Sequence, residues 1–242
     1  MNKFTHFQVF VGIAVFHHLS IAGPLDLEWS TSAGMNHYKE PVMQLHGPEL
    51  GLHAKTRRQG NVPGVMGEAD VFIGQQHYTS NTTGSMDGVT NIESRWRGLS
   101  RVLPGLGPTQ GLYAGLGLHT LWNDLRGNST TGGSGYERQA VQLWLPLRWV
   151  SDDAWQFETG LLLRGRHGSK LSQSDPNKPD ITNTQRHGVY AQASWDYSLD
   201  SRQMITPYVR YSYLADSDVV KTWYEPNSQR WQLGLTWHWD NR

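Results

Sequence analysis

Residues 136–166 read YERQAVQLWLPLRWVSDDAWQFETGLLLRGR. From Val141 every second residue is apolar, namely Val141, Leu143, Leu145, Leu147 and Trp149, while the alternate positions carry Arg138, Gln142, Trp144 and Arg148. After Ser151, Asp152 and Asp153 the alternation resumes, with Trp155, Phe157, Thr159, Leu161 and Leu163 against Gln156, Glu158, Gly160, Arg164 and Arg166. A period of two held this long predicts two antiparallel strands joined by a tight turn, each with one greasy and one charged face. Strands in soluble sandwiches have about five or six residues, whereas these run to about a dozen, close to what a tilted strand needs to cross a bilayer. The hairpin reads as two transmembrane β-strands.

The pattern extends to both sides. Downstream, Val189, Ala191, Ala193, Trp195 and Tyr197 alternate with Arg186, Tyr190, Gln192 and Asp196. Ile205, Val209, Tyr211 and Tyr213 then oppose Thr206, Tyr208, Arg210 and Ser212, and a last strand sets Trp231, Leu233, Leu235, Trp237 and Trp239 against Arg230, Gln232, Gly234, Thr236 and His238. Upstream, a first strand with Leu25, Leu27 and Trp29 outward and Asp26, Glu28 and Ser30 inward fades near Gly34. Strands around 50–57, 68–76, 92–102 and 111–118 follow, the third of these carrying Glu93, Arg95, Arg97 and Arg101 on its polar face. Ten strands result. The connections alternate between long ones of about 11 to 16 residues, such as a loop through His37, Lys39, Pro41 and His46 and a polar loop over 79–89, and short ones of about 3 to 7.

Composition narrows the class. Lys plus Arg (21) equals Asp plus Glu (21), which removes the basic balance that nucleic-acid binding requires. The negative mean hydropathy speaks against a helical membrane protein, and it is what a barrel with a polar lumen should show. Eleven Trp and ten Tyr suit the boundary between lipid and water. Trp149, Trp155, Trp195, Tyr197, Trp237 and Trp239 all fall at short-turn or terminal strand ends, where a periplasmic girdle belongs. Residues 1–22 have the layout of a secretory signal: a basic start, an apolar run over 7–16, and small residues at Ser20 and Ala22. Cleavage after Ala22 leaves a barrel domain of residues 23–242.

With these features the mature chain resembles the small outer-membrane β-barrels of Gram-negative bacteria. The resemblance implies an all-β fold, a closed antiparallel transmembrane β-barrel of ten strands with short periplasmic turns and long extracellular loops, seated in the outer membrane. Outer-membrane lipid and lipopolysaccharide become its expected surroundings. The stretch 230–239 resembles the C-terminal signal read by the barrel-assembly machinery, with Trp231, Trp237 and Trp239 as its aromatics, although Asp240, Asn241 and Arg242 follow the last of them. A soluble barrel of the lipocalin or streptavidin type would turn the apolar face inward.

The polar faces supply the candidate site. Acids (Asp26, Glu28, Glu68, Asp70, Glu93, Glu158, Asp196) and bases (Lys55, Arg95, Arg97, Arg101, Arg138, Arg148, Arg164, Arg166, Arg186, Arg210, Arg230) point into a lumen little wider than side chains can fill. The expected network is Glu93, Arg95, Arg97, Glu158, Arg164, Arg166, Arg210 and Arg230, closing the lumen of a structural or surface-exposed protein. The excess of bases makes a narrow anion-selective pore the alternative. An enzyme working at the outer rim is a further one. The residues do not reproduce the acidic and Asp/His pairs of the ten-stranded omptin proteases, and no catalytic residue is assigned. The histidines show no H-x-H or H-x-x-x-H spacing, so no metal ligand set and no cofactor is expected.

Overall fold

The structure is a computed structural model describing residues 25–58, 64–105 and 110–239; the expected signal segment and the side chain of Asp26 lie outside what it describes. The elements are β1 (Leu25–Lys39), β2 (Met43–Arg58), β3 (Val65–Ser80), β4 (Gly84–Pro104), β5 (Gly111–Asp124), β6 (Glu137–Val150) and β7 (Trp155–Ser169), followed by β8 (Ile181–Gln185), β9 (Gly188–Trp195), β10 (Tyr197–Ser198), β11 (Gln203–Leu214) and β12 (Ser228–Trp239). The short pieces β8, β9 and β10 are one stave, since β7 pairs with β8 and β9 while β11 pairs with β9 and β10. Every neighbouring pair is antiparallel, and β12 returns to β1 with Ser30 opposite His238 and Lys39 opposite Gln229. Ten staves therefore close into a barrel without a free edge, the arrangement that lets every strand satisfy its backbone away from water.

The faces are inverted relative to a soluble fold. Leu50, Leu52, Ile73, Leu116, Leu145, Leu161, Leu233 and Leu235 stand exposed on the exterior, whereas Glu49, Glu93, Arg95, Arg148 and Glu158 are buried inside. A continuous apolar belt around a closed barrel is far larger than the patches water-soluble proteins expose, and hydrocarbon is the solvent that suits it. A ligand-enclosing soluble barrel is thereby excluded. At the short-turn end the belt finishes in a ring of aromatics: Trp155 stacks on Phe157 (5.8 Å between centroids) and Trp195 (6.0 Å), Trp149 on Phe157 (5.8 Å), and Trp195 packs on Tyr197 (5.5 Å).

Two expected loops are corrected. The segment through His37 and His46 is strand: β1 and β2 run for 15 and 16 residues and turn only at 40–42, with His37 paired to His46. Likewise the segment 79–89 is mostly strand, because β4 begins at Gly84 and the turn occupies only 81–83. Beyond the lipid both faces of a hairpin meet water, so the apolar alternation stops while the hydrogen-bond ladder continues. At the same end the connections 125–136, 170–180 and 215–227 are long, whereas 59–64, 105–110, 151–154 and 199–202 at the other end are short. The two ends differ as the alternation implied, although two of the five long-end excursions are extended hairpins.

Candidate functional site in the lumen

Inward side chains meet in three layers. In the layer nearest the short turns, Glu68 of β3 lies opposite Arg97 of β4, and Arg148 of β6 lies opposite Glu158 of β7. Arg148 donates from Nη1 and Nη2 to Glu68 Oε1 and Oε2 at 2.6 and 2.7 Å, and from Nε to Glu158 Oε2 at 2.7 Å. Arg97 donates to Asp70 Oδ2 at 2.5 Å and to Glu158 Oε1 at 3.1 Å, with Glu68 Oε2 3.1 Å from its Nε. Tyr190 donates its hydroxyl to Glu158 at 2.8 Å. Desolvating these charges costs several kcal/mol per ion, and only multiple charge-assisted bonds of this kind offset it.

The middle layer joins β4 to β12 and β2. Glu93 accepts from Arg95 Nε and lies against Arg230 Nη1, both at 2.7 Å, while Gln232 accepts from Arg95 and donates to Glu49 Oε1 at 2.9 Å. Arg230 also donates to Asn36 at 2.8 Å. Arg210 is in no ion pair among the described residues; its guanidinium lies 3.9 Å from the Tyr190 ring centroid, a cation–π contact, and donates to Gln192 at 3.2 Å. At the outer mouth Arg138 bonds both Glu40 and Glu225, Tyr38 donates to Glu40 at 2.5 Å, and His167 stands 3.3 Å from Glu225. An apolar cluster of Leu45, Val89 and Leu125, flanked by Tyr38, Met43, Tyr78 and Met86, packs at this same end.

Below the first layer a vestibule of about 460 Å³ is lined by Lys55, Gln156, Asp196 and the 198–204 turn, with Glu68, Asp70, Arg97 and Arg148 among its walls. Beside it runs a chain in which His53 bonds Asp70 Oδ1 through Nδ1 at 2.9 Å and Ser32 Oγ through Nε2 at 2.8 Å.

The eight residues expected to form the network are divided between the two faces. Glu93, Arg95, Arg97, Glu158, Arg210 and Arg230 all sit in the lumen. Arg164 and Arg166 do not: both are exposed on the outer face of β7. The cause is a β-bulge. Leu143 pairs with Arg164 and Trp144 with Leu162, so Leu163 is an extra residue, and the inward series of Glu158, Gly160 and Leu162 continues as Gly165, His167 and Ser169. Arg186, expected inward, is likewise exposed, as is His187, where the stave breaks between β8 and β9. Glu40, Glu49 and Glu225 are the acids that sequence reading missed. Glu49 was legible, being in phase with Gly51, His53 and Lys55 on β2; Glu40 and Glu225 lie in connections, where parity carries no information.

The chain is an integral outer-membrane β-barrel: it is closed and antiparallel, wears an apolar belt with an aromatic girdle, and holds its charges inside, the construction that bacterial outer-membrane barrels share. No protein-family model matches the sequence, and no curated protein matches it by sequence. Among solved structures it is similar to the translocator domain of the autotransporter NalP from Neisseria meningitidis (11% identity, TM-score 0.44, covering 96% of this chain and 95% of that one). It is also similar to the β domain of the Bordetella autotransporter BrkA (13%, 0.43, 88% and 98%) and to the outer membrane protease OmpT from Escherichia coli (10%, 0.40, 89% and 96%). At these scores the correspondence is loose, and the membrane assignment rests on the belt, the girdle and the closure.

Proposed function

We propose that this outer-membrane barrel is a plugged scaffold, neither pore nor enzyme, whose working surfaces are its exterior and its exposed loops. The observation that carries the reading is the bonding across the lumen at three heights: Arg148 to Glu68, Arg230 to Glu93, and Arg138 to Glu40 on the facing wall. A passing ion would have to separate buried pairs, which costs more than an aqueous path can return. Moving Arg164, Arg166 and Arg186 outward and bringing Glu40, Glu49 and Glu225 inward also removes the excess of bases on which anion selectivity would depend. Trp231, Trp237 and Trp239 face outward along β12, as the assembly-signal reading of that strand requires.

Single-channel recording in planar bilayers tests the plug. Silence is expected from the wild-type barrel; stable anion-selective steps that change with Arg97→Ala would overturn it. A catalytic reading has one observation in its favour, the order of Ser32, His53 and Asp70, which is that of nucleophile, base and orienting acid. Ser32 is nevertheless buried, and its Oγ lies against the backbone of β2 so closely that a Cβ on Gly51 would stand 2.3 Å from it. A fluorophosphonate probe added to the folded barrel is expected to leave Ser32 unlabelled. Labelling that disappears in Ser32→Ala would establish a hydrolase instead.

A further inference from the structure

Inside the barrel Arg95, Arg97, Arg138, Arg148 and Arg230 each meet at least one carboxylate and Arg210 lies on the Tyr190 ring, while Arg126 at the rim pairs with Asp124 and Glu137. Arg164, Arg166 and Arg186 are exposed on the outside of the barrel, and none of their guanidiniums takes part in an ion pair or hydrogen bond among the described residues.

Their position is narrow. On β7 the outward apolar run extends from Trp155 to Leu163, about the length a tilted strand needs to cross the hydrocarbon, and Arg164 follows directly. Leu143 and Val141, the last apolar outward residues of β6, are the register partners of Arg164 and Arg166. On the other side Gly165 pairs with Gln185, so that Arg186, the next residue after Gln185, flanks Arg164; Val189 opens the apolar run of β9. The Leu163 bulge turns Arg164 and Arg166 outward, and the break after β8 does the same for Arg186. Three exposed arginines thus occupy neighbouring register positions at the upper edge of the belt.

We infer that Arg164, Arg166 and Arg186 form a phosphate-binding site on the outer wall, occupied by the phosphorylated headgroup of an outer-leaflet glycolipid, lipopolysaccharide. Guanidinium forks match phosphate oxygens bidentately, and a cation at the hydrocarbon edge is strongly favoured when an anionic headgroup meets it there. An unpartnered arginine facing lipid is otherwise costly. The assignment rests on the outer-membrane reading, with the long-loop end facing the exterior.

The test uses the full-length mature barrel, folded in detergent, and native mass spectrometry with three probes: bis-phosphorylated lipid A, dephosphorylated lipid A and inorganic phosphate. Wild type is expected to retain bis-phosphorylated lipid A, and R164Q/R166Q/R186Q to bind it about tenfold or more weakly, the scale of losing charge-assisted hydrogen bonds. The dephosphorylated lipid should bind wild type no better than the phosphorylated lipid binds the variant. Replacement of all three by Lys should fall between, because charge remains while the fork is lost. Equal retention by wild type and the Gln variant would overturn the site, and displacement by inorganic phosphate as effective as by lipid A would overturn the headgroup assignment. Should the triple variant fail to fold, Arg186→Gln, outside any strand ladder, gives the same comparison. Fractionation separates the premise: a wild-type protein absent from outer membranes refutes the location, whereas one present there with unchanged lipid A binding in the variant refutes only the site.

Discussion

Arg148 and Glu68 form a bidentate ion pair across the lumen, with guanidinium nitrogens 2.6 and 2.7 Å from the two carboxylate oxygens. The same side chain serves Glu158, its register partner, so one cation bridges two buried carboxylates on different walls. Arg148→Ala is expected to destabilise the barrel by about 3–5 kcal/mol, since it leaves Glu68 and Glu158 buried with only Arg97, itself shared with Asp70, to balance them. Urea unfolding followed by tryptophan fluorescence measures this, and adding Glu68→Gln to the variant should restore part of the loss. Unchanged unfolding of the single variant would mean that the layer does not hold the barrel together.

Tyr190 lies across the strand from Gly160, so close that a Cβ at 160 would stand 2.2 Å from the ring. Glycine here is a requirement of space: the ring must lie flat on the neighbouring strand to hand its hydroxyl to Glu158 and offer its face to Arg210. Gly160→Val should cost about 1–3 kcal/mol through overpacking. The same unfolding assay reads it, and Gly168→Ala is the control, since the nearest atom to a Cβ there is 3.9 Å away.

Topology can be read chemically, because the chain contains no cysteine. Ser174→Cys, in the 170–180 connection, should react with a membrane-impermeant maleimide on intact cells, and Asp152→Cys, in the 151–154 turn, only after the outer membrane is permeabilised. Reaction in the opposite order would invert the barrel in its membrane.

Asp180 closes the 170–180 connection, accepting from the Ser172 backbone N–H at 3.2 Å, the Ser172 hydroxyl at 2.7 Å and Lys170 at 3.1 Å. Partial burial pushes its carboxyl up, but the bonds from Ser172 and Lys170 outweigh this and hold it below the usual aspartate range. A depressed carboxyl stabilises the folded loop above the ordinary value of about 3.9. That stabilisation disappears as pH falls through the lower, folded value. Amide hydrogen exchange at Ser172, corrected for the intrinsic pH dependence, should therefore lose protection only at acid pH, and Asp180→Asn should flatten the profile.

The alternation of residues by itself determined the strands, their two unlike faces, the girdle from Trp149 to Trp239 and the two unlike ends. Backbone pleating assigns every second side chain to one face, and nothing tertiary is needed to know it. It could not mark where β1 and β2 end, since past the lipid both faces are polar and the pattern disappears while His37 still pairs with His46. Nor could it find the Leu163 bulge. Leu161, Leu162 and Leu163 are all apolar, so a change of parity among them leaves no trace until Arg164 appears on the wrong side. The partners of the lumen charges belong to the closed barrel alone. Which acid faces Arg138 or Arg148 depends on the stagger at which β12 meets β1 and on side chains reaching between walls far apart in the chain, and closure sets both.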